Sequence, residues 1–244
     1  MSIAFINGSP KSGPSASGWV IEWLWARLKD YFPPEKVLRL AGRNNFQDHS
    51  LADILACPTW VVAFPLYVDG VPAQLAQFLD TIIQFKKESL KLDPNQASGA
   101  GNQEETSKAR PAEPTRLYVV ANNGFYQGSL NCWALESLSL FAQEADLVWG
   151  QGIGFGGGPM LLELPRFLVN FSRGPFSPLT RALKEMVNLI LAKKSGPNLY
   201  VDPALPASLY AFLANQKWRL TALKRGCFRQ LKAPSPKVGT DLHN

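Results

Sequence analysis

Apolar residues fall along the first two thirds of the chain in short unbroken runs separated by stretches of helical spacing. Ile3 to Ile6 is such a run and stops at Asn7-Gly8-Ser9-Pro10. From Trp19 to Leu28 the apolar positions take helical spacing, which predicts strand, polar loop, helix. Lys36 to Leu40 reads as a second strand and Leu51 to Ala56 as a short helix. Trp60 to Phe64 is a continuous apolar run suited to a parallel strand buried on both faces. Val71 to Phe85 is an amphipathic helix whose stripe is Leu75, Phe78, Leu79, Ile82 and Ile83. Leu117 to Ala121 and Leu147 to Ile153 complete five strands, with a helix over Leu130 to Ala145 between them. This alternation predicts an α/β fold: a doubly wound five-stranded parallel sheet with helices on both faces. After Gly158 the pattern turns helical, around Arg181 to Lys194 and Pro206 to Lys224, with no further strand.

Two segments depart from this pattern. Between Glu88 and Thr115 the chain is rich in Pro, Gly and polar residues, which predicts a mobile insertion at 88–115 within a domain spanning 1–195. Residues 196–244 form a C-terminal helix and basic tail, expected to pack on the same domain. They hold the charge asymmetry as well: residues 203–244 carry seven Lys and Arg against Asp241 alone, so the net charge of +6 lies there and the rest is balanced. A solvated tail is the first reading, no nucleic-acid partner is expected, and peripheral contact with an anionic membrane is the lesser expectation.

Composition narrows the chemistry. At 46% hydrophobic and 18% charged residues the chain is globular in type. No apolar run reaches the roughly 18 residues of a membrane span, and the N-terminus has no basic leader, so a cytoplasmic location is expected. Cys57, Cys132 and Cys227 are isolated, and His49 and His243 are the two histidines. Disulfide, zinc and iron–sulfur frameworks are disfavoured, as is Ser-His-Asp chemistry, and no metal site is expected. No catalytic acid–base residue stands out. An enzyme of this composition would rely on a bound cofactor.

Three loops carry candidate chemistry. The first, from Asn7 to Gly18, puts small residues and the hydroxyls of Ser9, Ser15 and Ser17 between a strand and a helix, where free amides and the helix dipole favour a phosphate. Gly8 and Gly13 have Walker A spacing, but Pro14 and Ser15 stand where its Lys and Ser/Thr belong, which argues against a triphosphatase. The plainer alternative is that Ser15 or Ser17 merely caps the helix. The second and third loops, Pro65 to Pro72 and Asn122 to Gly128, follow the third and fourth strands and combine aromatic rings with amides and glycines. A planar heteroaromatic ligand would find apolar faces and backbone partners there. Gly152, Gly154 and Gly157 satisfy G-x-G-x-x-G, but they follow the fifth strand and lead into Pro159 without opening a dinucleotide helix.

Together these loops resemble the flavodoxin-like NAD(P)H-dependent FMN reductases and quinone reductases. The resemblance rests on Ile6-Asn-Gly-Ser-Pro10 with Ser15-Ala-Ser17, on Val62 to Leu75 running to Phe78-Leu-Asp80, and on Asn122-Asn-Gly-Phe125. Gly150 to Gly158 and Pro206 to Trp218 also resemble one branch of that group. The resemblance implies that Ser9, Lys11, Ser15, Ala16 and Ser17 hold the FMN phosphate, and that Pro65, Leu66, Tyr67, Val68, Asp69, Asn122, Asn123, Gly124, Phe125 and Tyr126 flank the flavin. Lys11 stands in place of a frequent Arg, and Pro14 and Ala16 in place of polar residues, which leaves fewer donors. The implied activity is transfer of electrons from NAD(P)H through FMN to a quinone, a nitro or azo compound, or a flavin, in a homodimer. FMN is expected rather than FAD, since the loop shows no evident room for an adenylate. The alternatives are a flavodoxin-like electron carrier that does not oxidise NAD(P)H, and a protein that keeps the fold without FMN.

Overall fold

The computed structural model describes residues 2–32, 37–41, 51–68, 70–91, 114–165 and 173–227. These divide into two compact units, one through Ala204 and one from Leu205 onward.

The first unit is a parallel sheet of β1 (Ile3–Asn7), β2 (Val37–Ala41), β3 (Thr59–Pro65), β4 (Arg116–Asn122), β5 (Val148–Phe155) and β6 (Leu199–Val201), in the order β2-β1-β3-β4-β5-β6. The first five are the predicted strands. β6 is an addition of three residues, too short for an apolar run to announce it, and it pairs parallel to β5 from Ile153 to Phe155. The order 2-1-3-4-5 is that of the flavodoxin-like doubly wound fold, whose chain reverses direction across the sheet between β1 and β3.

Side chains alternate across the strands. Phe5, Val61, Ala63, Tyr118, Val120 and Ile153 face a core closed by α1 (Ala16–Leu28) and α6 (Ser177–Ala192). On the other face Ile6, Trp60, Val62, Phe64, Leu117 and Val119 meet α2 (Leu51–Leu55), α3 (Ala73–Lys91) and α4 (Cys132–Glu144). Among the polar atoms buried in these layers, the Trp60 indole nitrogen donates to the Ile54 carbonyl at 3.0 Å. The Tyr118 hydroxyl lies 3.0 and 2.8 Å from the carbonyls of Leu189 and Lys194 at the end of α6. Burial there pushes its pKa up to about 12, against a smaller downward pull from Arg116.

α3 runs six residues past its predicted end at Phe85. The added turns are good helix formers, and Lys87 pairs with Glu144 at 2.7 Å while Lys86 donates to the Ala145 carbonyl beyond the last turn of α4. Residues 88–91 of the expected insertion are therefore helical, and 92–113 lie outside the described residues. A short α5 (Gly158–Glu163) follows β5. The second unit begins with α7 (Ala207–Lys224), and the tail bearing Arg229, Lys232 and Lys237 lies outside the described residues.

Candidate functional site

Parallel strands put all their carboxyl ends on one edge, so the loops after β1, β3 and β4 stand side by side there. The register adds a step. Asn7, the last residue of β1, is level with Ala63, whereas β3 and β4 continue to Pro65 and Asn122, two residues or about 7 Å further. The first loop thus forms a floor beside two taller walls.

The floor is seated by Gly8, where an added Cβ would come within 2.6 Å of Leu75 and 2.9 Å of Phe64. Asn7 Oδ1 accepts from the Ser9 amide at 3.1 Å, and the Ser15 hydroxyl, as N-cap of α1, accepts from the Gly18 amide at 3.0 Å. Both alternatives for Ser15 are therefore compatible, since a capping hydroxyl keeps its own proton to donate outward. The amides of Ala16 and Ser17, the first donors of α1, have no partner among the described residues, and the first turn contains no carboxylate. Ser9 is nearly buried, while residues 10–14, Lys11 included, are exposed. This donor set, two hydroxyls, two helical amides and one ammonium, fits a phosphate monoester. Ser17 differs from the other two serines: it is 1% exposed and its hydroxyl accepts from Asn122 Nδ2 at 3.1 Å.

That bond makes Asn122 a hub. Its Nδ2 also donates to the Phe64 carbonyl at 2.9 Å, and its own carbonyl accepts from the Leu66 amide at 2.6 Å. One residue 4% exposed joins all three loops. Sequence reasoning grouped Asn122 with the flavin-flanking residues; the geometry gives it a tying position, which no local pattern announces because its partners are 58 and 105 residues away.

In the second loop Tyr67 and Gly70 exchange backbone hydrogen bonds of 3.0 and 2.9 Å, which brings the two ends of the loop's tip together. Val68 takes φ 47°, the left-handed region that disfavours a β-branched residue, and is fully exposed; Tyr67 is 44% exposed. Pro65 and Leu66 are half-buried, and Asp69 lies outside the described residues. In the third loop Asn123 Oδ1 accepts from the Phe125 amide at 2.8 Å and its Nδ2 donates to the Gln127 carbonyl at 2.9 Å, so Asn123 shapes the loop from inside. Gly124 and Phe125 are exposed, with Tyr126 half-buried.

The glycine run after β5 now has a role. Gly157 and Gly158 donate to the carbonyls of Phe125 and Asn123 at 2.7 and 2.9 Å. A Cβ on Gly156 would sit 1.9 Å from the Tyr126 carbonyl oxygen. The run straps the third loop in place, as a bare backbone passing close to a neighbour should.

A groove of about 460 Å³ adjoins the first loop and follows the flank of α1 past Trp19, Glu22 and Arg27. The Arg27 guanidinium lies 3.3 Å from the centre of the Trp23 ring and donates to the Trp23 carbonyl.

No family model matches the sequence, and no curated protein does. Solved structures similar to the chain include an NADH:FMN oxidoreductase in its apo form, at 14% identity, covering 80% of this chain and 90% of that one with a TM-score of 0.48. An FMN-dependent NADH-azoreductase from Bacillus anthracis, in complex with FMN, has 14% identity, 79% and 99% coverage and a TM-score of 0.47. An NADPH-quinone reductase from P. pentosaceus has 16% identity, 77% and 96% coverage and a TM-score of 0.45. The chain's own strand order and its loop-bearing edge make the fold flavodoxin-like.

Proposed function

We propose that the protein binds FMN at this edge and uses it to pass electrons from NAD(P)H to a quinone, a nitro or azo compound, or another flavin. The observation that carries the reading is the convergence, through Asn122, of a phosphate-type donor set with two loops that expose aromatic rings. Ser9, Lys11, Ser15 and the amides of Ala16 and Ser17 hold the phosphate. Residues 65–68 and 123–126 flank the ring system, with Tyr67 and Phe125 supplying apolar faces and the backbone supplying edge partners. Bound FMN supplies the hydride acceptance and electron release that these side chains lack. The chain's part is to hold the phosphate, keep water from one face, and present fixed backbone dipoles along the ring edge. The NADH:FMN oxidoreductase, the FMN-dependent NADH-azoreductase and the NADPH-quinone reductase named above are in keeping with this reading.

The test is the visible spectrum of the purified protein, reconstituted with FMN where needed, before and after anaerobic NADH or NADPH. Oxidised-flavin bands that bleach on addition support the proposal. Bands that persist indicate flavin binding without NAD(P)H oxidation, and failure to take up FMN rejects it.

A further inference from the structure

The two walls of the candidate site are free of cations. From Thr59 to Phe85, which takes in β3, the second loop and most of α3, the chain has no Lys, Arg or His. From Leu117 to Pro165, which takes in nearly all of β4, then the third loop, α4, β5 and α5, it again has none. Both stretches do hold carboxylates, Asp69 of the second loop among them. Among the described residues, the cations at this edge are Lys11 on the floor and Arg173 just ahead of α6, where the Pro175 carbonyl accepts from the Ala204 amide beyond β6. What the walls offer is uncharged. Tyr67, Val68 and Phe125 are exposed, and the Asn123 carboxamide is spent inside its own loop, on the Phe125 amide and the Gln127 carbonyl.

This composition sorts the electron acceptors. A flat ring between the walls gains from aromatic faces and backbone partners, whatever its substituents. An ionised group borne on that ring enters the same space and sheds water without meeting a counter-charge, among carboxylates of like sign. NAD(P)H escapes this cost, because a ribose separates its phosphates from the reacting ring and they need not lie between the walls.

We propose, resting on the FMN reading of this site, that the acceptor is an aromatic compound with no ionised group on its ring, a neutral quinone or nitroarene, and that the cation-free walls discriminate against rings bearing a sulfonate or carboxylate. Two electrons and two protons pass from the reduced flavin to the acceptor, so that a quinone leaves as the hydroquinone and the flavin is oxidised.

The test compares 1,4-naphthoquinone-2-carboxamide with 1,4-naphthoquinone-2-carboxylate, nearly equal in size and different by one charge. Calorimetry measures the binding of each to the oxidised FMN-loaded protein, and single-turnover mixing follows reoxidation of the dithionite-reduced flavin by each. The amide is expected to bind at least about tenfold more tightly and to reoxidise the flavin faster. Val68→Lys, at the fully exposed tip of one wall, should narrow the gap to about twofold by tightening the carboxylate. Gly124→Lys should do the same from the other wall, where an added Cβ meets nothing nearer than Pro159 at 3.9 Å, and Val68→Gln should leave the gap unchanged. The quinones' own potentials cancel in the comparison between variants. With FMN bound, equal affinity for the two compounds, or a gap that neither lysine narrows, overturns this inference alone. Failure to take up FMN overturns the reading of the site and this inference with it.

Discussion

The loops after β1 and β4 meet at the same edge but are built on opposite principles. The third loop is held almost wholly by bonds between parts of the chain: Asn123 folds it from inside, and Gly156, Gly157 and Gly158 clamp it from β5. The first loop is held mainly near its ends, by Gly8 against Leu75, by the Ser9 amide on Asn7 Oδ1 and by the Ser15 cap, while residues 10–14 are exposed and its first helical amides are unpaired among the described residues. A wall that must present an aromatic ring in one place gains from rigidity. A floor that must receive an anion keeps donors unspent. Asn122 and Ser17 couple the two.

The two most severe ways to break the contrast are Gly156→Ala and Asn122→Ala. In the first, the new methyl group would overlap the Tyr126 carbonyl, so the third loop must lift, at about 1–3 kcal/mol for overpacking and with loss of FMN uptake. Thermal unfolding and an FMN titration check both effects; an unchanged titration would detach the third loop from the site. The second, Asn122→Ala, leaves the buried Ser17 hydroxyl and Phe64 carbonyl without their partner, at about 1–3 kcal/mol for each buried group so stranded. If Asn122 couples the loops, FMN affinity falls along with the melting temperature, and a fall in stability alone would show that the loops act independently.

The serines sharpen the comparison within the first loop. Ser9→Ala should lower FMN affinity about tenfold with little effect on melting, whereas Ser17→Ala should do the reverse, its hydroxyl being turned inward to Asn122. Ser15→Ala should show both, losing a cap worth about 1 kcal/mol and a donor. Equal effects from all three would erase the distinction between floor and support. The smallest change expected is Val68→Gly, which relieves a left-handed φ at a fully exposed β-branched residue and should raise stability by about 1 kcal/mol.

What the sequence revealed of this architecture follows from how local each signal is. The five long strands and the covering helices announced themselves because a parallel strand buried on both faces must be a continuous apolar run, as at residues 60–64. β6 did not, because three residues of mixed burial make no run. The phosphate-type character of residues 7–18 is written in their composition. The hub role of Asn122 is not, since it depends on a sheet register linking residues far apart in the chain.

Titration of the flavin-free protein with FMN and with riboflavin, followed by quenching of flavin fluorescence, tests the central claim most directly. Because the floor contributes its binding through the phosphate, FMN should bind at least about a hundredfold more tightly than riboflavin, the equivalent of two charge-assisted hydrogen bonds. Equal affinity for the two, or binding of neither, would contradict the assignment of residues 7–18 as the phosphate floor of a flavin site.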